Sequence, residues 1–290
     1  MAGLAMLCWG AAYVPSSWLV RDAAPVWAAA LRLGAAGLII IAVLWLRGGP
    51  LHPGVGWGTV AWLGLTQTAL FYGATFWGIA REGAGLAAVL ANTDPLFVAV
   101  LSALLLGEHL RPRQWGGLAV GFVGVSIAVS DRGLWPPRPS LAAVAVVAGA
   151  FAWGLGTITA ARGVRGTANP FALAGWQMLI GAGMLGVAAS GAGADVHPTA
   201  RAAGLVLVLA VLGSAAPLVM FYSALRHAPA GTVSAWFFLV PIVGVASAWP
   251  LLGQTPTAAL LVGMVGVSVG LWLVLAPPRR SRLVPSPPGP

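Results

Sequence analysis

No lysine occurs in this chain; all 15 basic residues other than histidine are arginine. A Walker A loop needs its lysine on the phosphates, and imine chemistry with pyridoxal phosphate or retinal needs a lysine amine. ATP-driven work and Schiff-base catalysis are therefore both excluded. Charge of either sign is scarce, at 7% of residues against about 25% in soluble domains. Only six acids are present, and five of them (Asp22, Glu82, Glu108, Asp131 and Asp195) fall in or beside breaks between apolar runs. No two acids stand at a spacing suited to acid–base catalysis. The single cysteine, Cys8, cannot form an intrachain disulfide and reads as a small packing residue. His52, His109, His197 and His227 lie near loops and far apart, so neither a metal site nor a cofactor is indicated.

What fills the chain instead is apolar sequence, 59% of it, in runs of about 18–25 residues, the length that spans a bilayer core as a helix. Glycine, at 40 residues, suits close helix packing in lipid. Gly, Pro and Arg clusters divide the sequence into ten predicted spans, at 3–20, 24–46, 55–80, 84–107, 113–130, 141–161, 169–190, 202–226, 230–253 and 256–276. The first run begins at once, without a charged leader, so no cleaved signal is expected. The Pro-rich stretch 277–290 reads as a disordered tail. With the N-terminus placed inside, nine arginines fall in inside loops and five in outside loops, with Arg32 left within a span (9 + 5 + 1 = 15). Both ends are then cytoplasmic in a bacterial plasma membrane. The basic residues are scattered singly, with no basic face, so nucleic acid is not an expected partner.

The chain repeats itself. "EGAGLAAVLANTDPLF" and "HAPAGTVSAWFFLVPIV" match at an offset of 146, which pairs Pro95 with Pro241, Gly117 with Gly263, Gly124 with Gly270 and Glu108 with Gln254. Near the starts of the halves, Trp9 pairs with Trp153 and Arg32 with Gln177, after one small gap. The unit holds five spans, an odd number, so the second copy must enter the membrane from the opposite side. Inverted repeats of this kind are a recurring design of secondary transporters, with the substrate site near the midplane where the halves meet. The predicted fold is all-α and polytopic, ten transmembrane helices as two inverted five-helix repeats around a central cavity. Residues 1–131 form the first repeat, 132–140 a linker and 141–276 the second repeat.

"CWGAAYV" in span 1, "ALRLGAAG" in span 2, "LLLGEHLRPRQWGGLAVGFVGV" across spans 4 and 5, and "Y-S-A-L-R…P-A-G…P" in spans 8 and 9 resemble the drug/metabolite transporter superfamily, most closely its EamA family. The resemblance covers about residues 3–276. It implies export of amino acids, including aromatic ones, or of other small metabolites through a central cavity. The sequence departs from the family pattern at Gln254, where a glutamate is common.

"ANTDPLFVAV" puts an amide, an acid and a proline in mid-membrane. Pro95 and Pro241 lack the N–H that would bond to the carbonyls of Ala91 and Phe237. Spans 4 and 9 are expected to kink there, at hinges. One wall then carries Asn92, Thr93 and Asp94 and the other Phe238, Leu239 and Val240, with Trp236 close by. A substrate with a hydrogen-bonding head and an apolar or aromatic body, such as an amino acid, matches that lining. In a regular helix Asn92 and Asp94 lie about 200° apart and cannot share a face. Arg32 and Asp94 both fall roughly 12–15 Å in from the same end. They form either a structural ion pair, or Asp94 serves as a proton or substrate-amine site. Thr68, Phe71 or Tyr72, and Thr75 make a helical stripe in span 3, with Ser214 and Pro217 at corresponding places in span 8. Trp9, Tyr13 and Trp153 complete the expected substrate lining.

Two rival readings are weaker. "GVSVG" at 266–270 matches a nucleophile elbow but lies in an apolar helix with no strand before it. Its Gly266 and Gly270, like Gly117 and Gly121, read as GxxxG packing sites. An intramembrane enzyme would need a cluster of acids that is not there. Within transport, the alternative is a broad drug or cation exporter with Asp94 as counter-charge. One chain holds both halves, so a monomer suffices.

Overall fold

The computed structural model describes residues 1–106, 111–129, 140–165, 168–227 and 235–275. The turn at Glu108, most of the linker, the start of the second motif at Gly231 and the tail 277–290 lie outside the described residues. Within them the chain forms ten rods. Span 1 is α1 (Ala2–Ala11) and α2 (Tyr13–Asp22), and span 2 is α3 (Pro25–Leu46). Span 3 is α4 (Trp57–Leu63), a π-helix π1 (Gly64–Leu70) and α5 (Phe71–Glu82). Span 4 is α6 (Ala84–Ala91) and α7 (Asp94–Leu106), and span 5 is α8 (Pro112–Val129). The second half repeats the order: α9 (Leu141–Arg165), α10 (Pro170–Gly191), then α11 (Ala200–Ala210) with π2 (Val211–Ala215) and α12 (Ala216–His227). A 3₁₀ turn (Ala235–Phe238) leads into α13 (Leu239–Leu252), and α14 (Ala258–Leu275) is span 10. Large apolar side chains such as Leu38, Leu104, Val187, Leu207 and Trp272 point outward, each more than half exposed. Apolar exposure on this scale fits lipid as the surrounding solvent.

The inversion is written into the helix seams. Where α8 crosses α14, a Cβ on Gly117 would lie 2.8 Å from the Gly270 carbonyl oxygen, and one on Gly270 2.6 Å from that of Gly117. Gly124 and Gly263 approach each other in the same reciprocal way, at 2.8 and 2.6 Å. At the offset of 146 the mates are Gly117 with Gly263 and Gly124 with Gly270, so each contact is the image of the other. Equivalent helices therefore run antiparallel. Spans 2 and 7 do the same: Gly34 faces Ala182 and Gly37 faces Leu179, with Gly34 the mate of Leu179 and Gly37 of Ala182. Glycine is required because backbone meets backbone.

The loops tie the halves together at both ends. Trp27 Nε1 donates to the Ala194 carbonyl at 3.0 Å and Trp176 Nε1 to that of Leu51 at 2.8 Å. Ala24 and His197 donate to the carbonyls of Asp195 and Asp22. Gly83, at φ +88°, makes the abrupt turn from α5 into α6. Gln254 reaches that turn and accepts from the Gly85 N–H at 3.4 Å, a neutral contact that an amide makes as well as a carboxylate.

Prolines set the breaks. Pro95 and Pro241 do not kink continuous helices as expected; each sits in the first turn of a new one. α6 stops at Ala91 and α7 starts at Asp94, and α13 follows the 3₁₀ turn. A first-turn proline loses nothing, because its N–H would have no intrahelical acceptor there. Span 1 breaks in the same way at Ala12, three residues before Pro15. The Thr93 hydroxyl donates to the Leu90 carbonyl at 2.8 Å and its N–H to the same oxygen at 3.2 Å, so the break leaves that carbonyl satisfied in lipid.

Candidate functional site

The cavity lies where the three broken spans meet. Trp9, Ala12, Tyr13 and Ser16 from span 1 line it, with Ala91, Asn92 and Asp94 from span 4 and Phe237 and Val240 from span 9. Span 3 contributes Phe71, Tyr72, Thr75, Phe76 and Ile79, span 2 Arg32 and span 6 Trp153. Its volume is ≈ 50 Å³, several times what one water needs. It extends from mid-bundle toward the end that carries Asp22 and Glu82. Asn92 and Asp94 share it despite their spacing because the helix is interrupted between them. Two residues apart on a regular helix they would face opposite ways.

The sequence stripe is only partly a lining. Trp9, Tyr13, Phe71, Tyr72, Thr75, Asn92, Asp94 and Trp153 come together around the cavity. Thr68 instead packs on Gly181, whose added Cβ would meet it at 2.4 Å; the π-helix turns it away from Tyr72. Trp236 is 45% exposed and lies over Gly3 on the outer face, while its neighbour Phe237 supplies the aromatic wall. Sequence reasoning missed Phe237, Phe76 and the role of Pro15. The last was legible as a further mid-span proline.

Arg32 does not pair with Asp94. Its Nε donates to Ser214 Oγ at 2.7 Å, Nη1 to Ser16 Oγ at 3.0 Å and Nη2 to the Gly213 carbonyl. The guanidinium lies over the Tyr72 and Phe76 rings, 5.1 and 5.6 Å from their centroids, a desolvated cation–π arrangement. The local sequence explains the geometry. Pro217 has no N–H for the carbonyl of Gly213, four residues before it, and Arg32 takes the freed oxygen. Ser214 thus holds Arg32 rather than lining the cavity. Among the described residues the Asp94 carboxylate has only its own backbone N–H, as the first residue of α7. Tyr13 lies within electrostatic range of both charges.

On the other side of the cavity an aromatic floor closes the bundle. Trp9 meets Trp153, Phe221 and Phe237 at 5.7–5.9 Å between centroids, and Phe71 meets Trp153 at 4.7 Å. Beneath it, Tyr222 OH is 2.7 Å from Gln67 Oε1 and 2.6 Å from the Gln177 amide. Gln67 Nε2 donates to Thr157 Oγ1 at 3.1 Å. One hydroxyl proton serves Gln67, so the Gln177 amide, turned over, donates its N–H to the tyrosine oxygen. Gln177, Tyr222 and Gln67 are the mates of Arg32, Phe76 and Gly213, so a neutral hub in one half replaces the charged hub of the other. Tyr222→Phe should strand these buried amides at roughly 1–3 kcal/mol and lower the melting temperature in detergent by several degrees. An unchanged melting temperature would mean that packing alone holds the floor.

Known proteins share this architecture. A crystal structure 18% identical in sequence superposes on 94% of each chain with a TM-score of 0.70, a likeness of fold. The WAT1-related protein At3g02690, chloroplastic, of Arabidopsis thaliana is 29% identical, over 93% of this chain and 67% of that protein. The uncharacterized inner membrane transporter YedA of Escherichia coli K12 is 27% identical, over 94% of this chain and 90% of its own length. A model of the EamA-like transporter family matches residues 1–130 and 140–276. Ten spans, two inverted repeats and a cavity at their seam are thus those of a multi-pass membrane transporter, and the chain belongs to the EamA-like transporter family.

Proposed function

We propose that this transporter exports amino acids with apolar or aromatic side chains, by alternating access between its two halves. The observation that carries this is the two-faced cavity: Asp94, Asn92 and Arg32 on one side, and Trp9, Phe71, Trp153 and Phe237 on the other. An ammonium group suits the unpaired Asp94 carboxylate, and an apolar body suits the rings. A plain organic cation would meet Asp94 but leave the Arg32 guanidinium in the same cavity without a counter-charge, which disfavours the drug-exporter reading. The breaks before Pro95 and Pro241 are the hinges in this account, and repeats 1–131 and 141–276 the bodies that rock, joined by 132–140. The chain works in a bacterial plasma membrane with both ends cytoplasmic, as the arginine distribution supports, and a single copy holds the complete cavity.

The test is counterflow in proteoliposomes with labelled phenylalanine, tryptophan, leucine, aspartate and lysine, at two pH values. Accelerated exchange of the first three over the charged pair is expected. Exchange of tetraethylammonium or other organic cations with no amino acid exchange would sink the reading.

A further inference from the structure

Arg32 is 3% exposed, its guanidinium is always charged, and among the described residues it meets no carboxylate. An ion pair between Arg201 and Asp22, at 3.9 Å, lies at the bundle's end. The acceptors of Arg32 are two hydroxyls and a backbone carbonyl, all neutral. These use three of the five N–H groups, leaving one on each terminal nitrogen. A buried cation in lipid without a counter-ion is costly, and here it borders a cavity.

A second, separate observation points the same way. Among the described residues, the buried polar atoms that lack a hydrogen bond include Trp153 Nε1, Asn92 Nδ2 and Thr75 Oγ1, all lining this cavity. Their residues are 3%, 2% and 4% exposed. Trp9 Nε1 also lacks one, though it is directed at the Tyr72 hydroxyl. The indole and amide nitrogens can only donate, and the threonine hydroxyl can donate as well. Buried donors left without acceptors are rare in folded proteins, and several around one space call for an acceptor-rich visitor.

From the missing counter-ion and the orphan donors together, we propose that Arg32 is a carboxylate subsite, with Trp153 and Asn92 as further donors to the bound solute. The substrate is then an organic carboxylate, and its carboxylate contributes more to binding than its amine does. This rests on the reading of this cavity as the transport site. It deepens that reading by ranking the two ends of the solute. Ser16, Ser214 and Gly213 are positioning groups that hold the guanidinium without neutralising it.

The experiment is thermal stabilisation of the purified full chain in detergent by L-phenylalanine, 3-phenylpropionate (no amine) and 2-phenylethylamine (no carboxylate). Both carboxylates are expected to raise the melting temperature, with the amine needing at least about tenfold more, the factor for losing a charge-assisted hydrogen bond. Trp153→Phe, which keeps a ring and removes one N–H, is expected to weaken 3-phenylpropionate about five- to tenfold more than it weakens 2-phenylethylamine. Arg32→Gln should abolish carboxylate binding. Should that variant not fold, the ligand series on the unaltered protein and the Trp153→Phe comparison still decide. Equal or tighter binding of 2-phenylethylamine overturns the proposal, as does the absence of a shift with either carboxylate. Binding of 3-phenylpropionate with no amino acid counterflow would instead remove the amino-acid reading and leave the subsite standing.

Discussion

Gly117→Leu is expected to prevent recovery of folded protein, while Gly116→Leu, one residue away on the same helix, leaves it intact. A Cβ at 117 would sit 2.8 Å from the Gly270 oxygen, 2.8 Å from Leu273 Cβ and 3.0 Å from Val274 Cγ2, whereas one at 116 meets nothing within 4 Å. The obstacle at 117 is partly the backbone of α14, which cannot rotate away as a side chain can. The two helices would have to separate along the seam. Overpacking of a well-filled core costs about 1–3 kcal/mol and occasionally more, and a leucine against a carbonyl belongs at or beyond the upper end. Gly270→Leu is expected to fail in the same way, because its Cβ would lie 2.6 Å from both the Gly117 oxygen and the Gly121 nitrogen. Yield and monodispersity by size exclusion after detergent extraction are the measurements. A monodisperse Gly117→Leu protein would show that spans 5 and 10 do not touch as described.

Asp94→Asn is expected to fold normally and to lose most amino acid exchange, by about tenfold or more. The structure separates two roles that the sequence left open. Were Asp94 the counter-ion of Arg32, removing its charge would strand a buried guanidinium, at about 3–5 kcal/mol. Arg32 is held by Ser16, Ser214 and Gly213 instead, so the substitution removes a charge that has no cationic partner. Stability should be equal or higher. Exchange should suffer because the substrate ammonium loses its counter-charge, a loss expected of a charge-assisted contact. Exchange by the unaltered protein should fall as acidification protonates the carboxylate, and that slope should vanish in the variant. A large drop in melting temperature, or counterflow with its pH slope intact, would refute this role for Asp94.

The local sequence fixes much of the ladder of elements through the mean solvent. Apolar runs of bilayer length, separated by Gly, Pro and Arg, mark all ten rods, because a backbone in lipid must satisfy its own polar groups and helices do so. The odd repeat of five dictates inversion, and the reciprocal glycine contacts at 117, 124, 263 and 270 follow from that symmetry. The proline at 95 announces an interruption, and Pro15 would have announced another.

Which way each side chain points was decided by tertiary structure. Helical periodicity assumes 3.6 residues per turn throughout, and the site is built where that fails, at the breaks in spans 1, 4 and 9 and the π turns in spans 3 and 8. There Asn92 and Asp94 come to share a cavity, Thr68 turns aside, and Phe237 replaces Trp236. The partner of Arg32 was equally out of reach. Depth along two spans placed it level with Asp94, but a carbonyl freed by Pro217 in a third span, 181 residues away, holds it. Burial and periodicity are sums over neighbours in sequence. A hydrogen bond between distant spans depends on where helices cross, and that only the packed bundle sets.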